Sequence, residues 1–66
     1  MIEISVNGEN LSLEKGTSLA GLLERFAAQK GTVVAINETF VPRSEHVHHR
    51  LSPGDRVELL APMEGG

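Results

Sequence analysis

Cysteine, tryptophan and tyrosine are absent from this 66-residue chain, and Phe26 and Phe40 are its only aromatic side chains. Without cysteine there is no disulfide framework, no thiolate zinc site and no cysteine nucleophile. Two aromatics are too few for the stacking platforms that hold single-stranded nucleic acid. Positive charge is also scarce. Six Lys+Arg against nine Asp+Glu give a formal net charge of −3, the wrong sign for a phosphate-backbone binder. No long apolar run is present, and the opening Met1-Ile2-Glu3-Ile4 has no basic region before it, which predicts neither a signal peptide nor a membrane span. These absences predict a cytoplasmic chain that engages neither nucleic acid nor membrane.

What remains is ordinary globular material, 39% hydrophobic and 23% charged, rather than the composition of a disordered chain. The length allows one small domain. Such a domain buries only about 60% of its unfolded surface, and below ~70–80 residues a fold usually leans on a staple or a partner. It is too small to surround a substrate, which points to binding or carrying something rather than to an enzyme.

Ile2, Ile4 and Val6 alternate with Glu3 and Ser5, the period-two mark of a half-buried strand. Asn7-Gly8 follows, a strong two-residue hairpin signal. That turn pairs Val6 with Glu9, Ile4 with Leu11 and Ile2 with Leu13 on one face, and Ser5 with Asn10 and Glu3 with Ser12 on the other. A one-residue slip would flip every side chain, so the register is set. Glu14-Lys15-Gly16 then turns the chain, and Thr17 or Ser18 can cap a helix. Leu19, Leu22, Leu23 and Phe26 form one apolar stripe, with Gly31 as the expected left-handed stop. Gly21 inside this helix suggests either a close approach to the sheet or tolerance on a solvent face.

Val33-Val34-Ala35-Ile36 reads as an interior strand and Asn37-Glu38 as a turn. Phe40-Val41 reads as a short strand ended by Pro42. Residues 43–50 are polar and aperiodic, expected as a 3₁₀ turn and loop. Ser52-Pro53-Gly54-Asp55 is a turn, and Arg56-Val57-Glu58-Leu59 alternates as the last strand. The order β-β-α-β-β-β predicts an α+β fold, a mixed sheet covered on one face by a single helix. Residues 1–61 form the domain and 62–66 a flexible tail.

The tail, Pro62-Met63-Glu64-Gly65-Gly66, contains little that could pack a core. Two closing glycines suit a carboxylate that must thread a narrow channel of another enzyme, where side chains would clash. A free carboxylate is a poor electrophile and needs activation, for example as an acyl-adenylate made from ATP. The chain has no phosphate-cradling glycine loop and no nucleophile–base pair. The activating machinery is therefore expected in another protein, with no cofactor bound here.

Taken together, the element order, the Asn7-Gly8 hairpin, Leu51-x-Pro53-Gly54-Asp55-x-Val57 and the closing Gly65-Gly66 resemble the ubiquitin-like β-grasp sulfur carriers. Val34-Ala35-Ile36-Asn37, Val41-Pro42-Arg43 and the short length most resemble the thiamine-biosynthesis branch, the ThiS type. The diglycine and the Pro-Gly-Asp turn are shared with the molybdopterin-synthase small subunit, and Glu64 departs from the small or apolar residue the family leads one to expect. The resemblance implies a carrier that is a co-substrate of other enzymes. A ubiquitin-activating-like adenylyltransferase (ThiF type) would use ATP to adenylate the Gly66 carboxylate. Sulfur from a donor protein would then make a thiocarboxylate for thiazole synthase (ThiG type). Gly66 carries the sulfur and Gly65 permits threading. Two alternatives share this chemistry: a sulfur carrier of another pathway such as molybdopterin synthesis, and a ubiquitin-like protein modifier.

Two further features complete the sequence reading. Glu45, His46, His48 and His49 are a candidate metal cluster, but zinc sites want four well-placed ligands, and the expectation is a solvated polar loop with no metal. Along the last strand, Val57 and Leu59 should meet Leu19, Leu22, Leu23 and Phe26. Alternation puts Arg56, Glu58 and Leu60 on the opposite face. Leu60 with Met63 would then form an apolar patch rimmed by Arg56 and Glu58, the expected docking surface for both partner enzymes.

Overall fold

A computed structural model describes residues 1–61 of the chain. Its elements run β1 (Ile2–Val6), β2 (Glu9–Leu13), α1 (Leu19–Arg25), β3 (Val33–Ile36), β4 (Thr39–Val41), a 3₁₀ turn (Arg43–Glu45) and β5 (Arg56–Leu60). The β1–β2 hairpin has the expected register at all five pairs, from Ile2 opposite Leu13 to Val6 opposite Glu9. Asn7 and Gly8 both take positive φ, as the two-residue turn requires. A second turn of the same kind, Asn37-Glu38, joins β3 to β4, with φ of 52° and 70°.

The five strands form one sheet in the order β2-β1-β5-β3-β4. The last strand in the chain thus lies at the centre, parallel to β1 and antiparallel to β3. Helix α1 lies over one face. Leu19 and Leu22 are fully buried there with Ile4, Leu13, Val34 and Val57, while Leu23 and Leu59 pack partly against them. Each such aliphatic side chain contributes about 1.5–3 kcal/mol when buried, and these few residues are most of what such a small domain has to work with.

The helix is shorter than its apolar stripe suggests. Ser18 is the cap, its Oγ accepting from the Gly21 amide at 3.1 Å. At the other end Phe26 is the C-cap, and Ala27, with φ of 52°, is the left-handed residue that stops the helix. The Ala27 amide donates to the Glu24 carbonyl and the Ala28 amide to the Leu23 carbonyl, both at 3.0 Å. This is the Schellman arrangement. Two sequence expectations are corrected here. Gly31 does not end the helix; its φ of 93° serves a later turn, where Thr32 N–H donates to Gln29. Phe26 does not join the core either, because the chain leaves the helix axis at that residue and its side chain is 46% exposed. Gly21 is exposed, and a Cβ there would meet only Ser18 Oγ and the Thr17 methyl at ordinary contact distances. Tolerance on a solvent face, rather than close approach to the sheet, accounts for it.

The segment between β4 and β5 also departs from a plain solvated loop. The carbonyls of His49 and His46 accept from the Leu19 and Ala20 amides at 2.8 and 2.9 Å. They satisfy two of the orphan donors at the start of the helix. Leu51 is buried in the core. His46 is only 8% exposed and its Nε2 lies 3.1 Å from the Val41 carbonyl. The histidine segment therefore fastens helix to sheet. Among the described residues no helix is long and apolar enough to cross a membrane.

Candidate functional site

The site is built on β5, because this strand leads into residues 62–66. Its entry is the turn Ser52–Asp55, with proline second and Gly54 third at φ of 84°, the pattern of a type II turn. The Asp55 carboxylate accepts from the Ser52 amide at 2.8 Å and from Asn37 Nδ2 at 3.1 Å. Asn37 Oδ1 in turn accepts from the Arg56 amide at 2.9 Å. One hairpin turn thus grips the beginning of the strand.

The other hairpin turn grips its end. Strand β1 pairs with β5 only at Ser5–Arg56 and Val6–Val57, so β5 runs on past its parallel neighbour. There the Asn7 side chain replaces a strand. Its Oδ1 accepts from the Leu59 amide at 2.8 Å and its Nδ2 donates to the Leu59 carbonyl at 3.3 Å. The Asn7 backbone amide donates to Val57 at 2.9 Å. Both asparagines sit at positive φ, where asparagine is favoured among residues with a side chain. Sequence reading found both turns but not these side-chain roles; the shared signal was asparagine at the first position of each turn.

Burial alternates along β5. Val57 is 1% exposed and Leu59 half-buried on the helix side, whereas Arg56, Glu58 and Leu60 are exposed on the open side. This is the expected division of faces. Residues directly opposite across a ladder share a face, so Val33 accompanies Leu60, Ala35 accompanies Glu58, and Phe40 accompanies Ala35. Leu60, Val33 and Phe40, exposed by 64%, 43% and 61%, form an apolar strip across β5, β3 and β4. Sequence reading reached Leu60 but missed Val33 and Phe40. The legible signal was the unbroken run Val33–Ile36, which is apolar on both faces although only one is covered.

Beside the strip, Ser5, Glu38, Arg56 and Glu58 line a polar cleft of about 200 Å³ between the two hairpin turns. Arg56 and Glu58 are thus placed as a polar border to the apolar strip. Met63, Gly65 and Gly66, along with Pro62 and Glu64, lie outside the described residues. The three histidines do not meet as ligands, and among the described residues no group of three or more His, Asp or Glu could hold a metal ion.

Comparison with known proteins gives three concordant matches. A family model described as the ThiS family matches residues 2–66. The chain is 30% identical over 66 residues to the sulfur carrier protein ThiS of Escherichia coli (strain K12), covering 98% of this chain and all of that protein. It is also similar to the crystal structure of the thiamine biosynthesis protein (ThiS) of Geobacter metallireducens. That match has a TM-score of 0.83 at 23% identity and covers 98% of this chain and all of the other. At that identity the structural likeness speaks for the fold, which agrees with the five-stranded mixed sheet and single helix.

Proposed function

The chain belongs to the ThiS family, and on that premise we propose that it is a sulfur carrier for thiamine biosynthesis, with Gly66 as the carrying residue. The observation that best supports this reading is the central strand β5. It is clamped by Asn7 and Asn37, and it ends at Leu60 in an exposed apolar strip immediately before residues 62–66.

The chemistry belongs to the partners, and the chain supplies a handle. A carboxylate oxygen of Gly66 attacks the α-phosphorus of ATP on an adenylyltransferase of the ThiF type, with pyrophosphate leaving. The terminal sulfur of a donor protein's persulfide then attacks the acyl carbon, and AMP leaves. A thiol reduces the resulting acyl disulfide, taking the donor sulfur into a new disulfide and leaving a thiocarboxylate on Gly66. Sulfur is a better nucleophile than carboxylate oxygen, so this terminus can deliver it to a thiazole synthase of the ThiG type without releasing sulfide. Gly65 lets the chain enter each catalytic channel without a side chain.

Both enzymes dock on the open face, with Leu60, Val33 and Phe40 as the apolar centre and Arg56 and Glu58 at its edge. Interfaces draw most of their binding energy from a few central side chains ringed by polar ones, so the two enzymes compete for this face. The test is to delete Gly66, or to add one residue after it, and to measure adenylation by the activating enzyme. Loss of adenylation with the fold intact is expected. An extended protein that is thiolated without trimming would contradict the proposal.

A further inference from the structure

On the helix side of the molecule a second concavity lies away from β5. A cleft of about 180 Å³ opens between the end of α1 and the 3₁₀ turn, its walls including Leu23, Ala28, Lys30, Thr32, Arg43 and His46. Acids outnumber Lys+Arg by nine to six in this chain, yet among the described residues no carboxylate lines the cleft. Two of the six Lys+Arg residues and the buried His46 line it instead. Small-molecule pockets usually span roughly 300–1,000 Å³, so this one suits a small ion.

The histidine decides which ion. The His46 backbone is fixed by bonds to Arg43 and Ala20, so the ring is held in place. Its Nε2 faces the Val41 carbonyl. A carbonyl only accepts, so Nε2 carries the hydrogen, and in the neutral ring Nδ1 presents a lone pair. Among the described residues no buried side-chain nitrogen or oxygen lacks a partner, and the ring's hydrogen bond is the one through Nε2. Nδ1 is therefore not sealed in the core, and the ring that carries it lines the cleft. A ligand here has to satisfy two cations and one acceptor at once. It needs negative charge together with an O–H hydrogen.

We propose that this cleft binds inorganic phosphate in its hydrogen phosphate form. Arg43 and Lys30 pair with the charged oxygens, and the P–OH group donates to His46 Nδ1. Sulfate has the charge without the hydrogen. So does the dianion of a phosphate monoester, which separates free phosphate from the phosphate of a nucleotide or sugar.

The test is amide-resolved NMR of the full chain at mildly alkaline pH, titrated separately with sodium phosphate, sodium sulfate and methyl phosphate at matched ionic strength. Phosphate should shift residues 28–32 and 43–46 saturably while leaving Phe40 and Leu60 in place. Sulfate and methyl phosphate should bind these residues several-fold more weakly. Lys30 and Arg43 are exposed, so Lys30→Ala with Arg43→Ala should keep the remaining spectrum and lower phosphate affinity at least about tenfold, the scale of one lost charge-assisted hydrogen bond. A response to phosphate that never saturates, an equal response to sulfate or methyl phosphate, or unchanged affinity in the double variant would each overturn the proposal.

Discussion

The two faces of β5 are made by alternate residues of one five-residue strand, yet their fates are opposite. Val57 is buried and Leu59 half-buried under α1, while Leu60, its partner Val33 on β3 and Phe40 on β4 stay exposed. The closed face of the strand is apolar and has a helix to cover it, whereas the open face sets Leu60 beside the charged Arg56 and Glu58. Strand alternation lets a domain of this size hold its fold with one face and offer the other to partners. A substitution on one face should therefore change a property that the other face leaves alone.

The largest effect is expected on the closed face. Leu22→Ala should cost about 2–5 kcal/mol through lost burial and a residual cavity. A chain of this length has roughly 3–10 kcal/mol of stability in total, so chemical denaturation should show a much lower midpoint or no folded baseline. A loss below ~1 kcal/mol would mean that α1 is not the lid described here. Next comes the strand's entry. Asp55→Ala removes the acceptor for both the Ser52 amide and Asn37 and should cost about 1–3 kcal/mol by the same measurement.

The comparison itself is sharpened by Leu60→Asp. Stability should be nearly unaltered, while calorimetric affinities for the activating enzyme and thiazole synthase should each fall by more than ~1–2 kcal/mol. Unchanged affinity for both, in a folded variant, would place the docking surface elsewhere. The smallest effect is a gain. Gly21→Ala lies on an exposed turn of the helix with room for the new methyl, so thermal unfolding should show a stabilisation of up to ~1 kcal/mol.

How far this comparison was legible in the sequence differs by element. The β1–β2 register was readable residue by residue because apolar positions alternate on both strands around Asn7-Gly8. The open face at Leu60 followed from the same alternation in β5. The end of the helix was not readable. Phe26 keeps the apolar spacing and Ala27 and Ala28 are good helix formers, so the period carries past the point where the Schellman bonds close the chain. Leu51, Asp55 and His46 were missed as buried residues for a related reason: their partners are distant in sequence, Thr17 for Leu51, Asn37 for Asp55 and Ala20 for His46, and loops have no periodicity to display burial. For the proposed site, the resemblance points to Gly65 and Gly66, which lie outside the described residues, and alternation put Leu60 on the open face where the structure has it. Val33 and Phe40 required knowledge of which strands lie side by side, and that came only with the sheet order.

The central claim is that sulfur travels on Gly66, and intact-mass spectrometry of the protein isolated from its own cells, followed by fragmentation of the C-terminal peptide, tests it most directly. The account predicts a fraction of molecules whose mass gain equals the exchange of one oxygen for one sulfur, with that gain confined to Gly66. A chain without sulfur under thiamine-requiring growth, sulfur found elsewhere, or Gly66 joined instead to another protein through an isopeptide bond would contradict it.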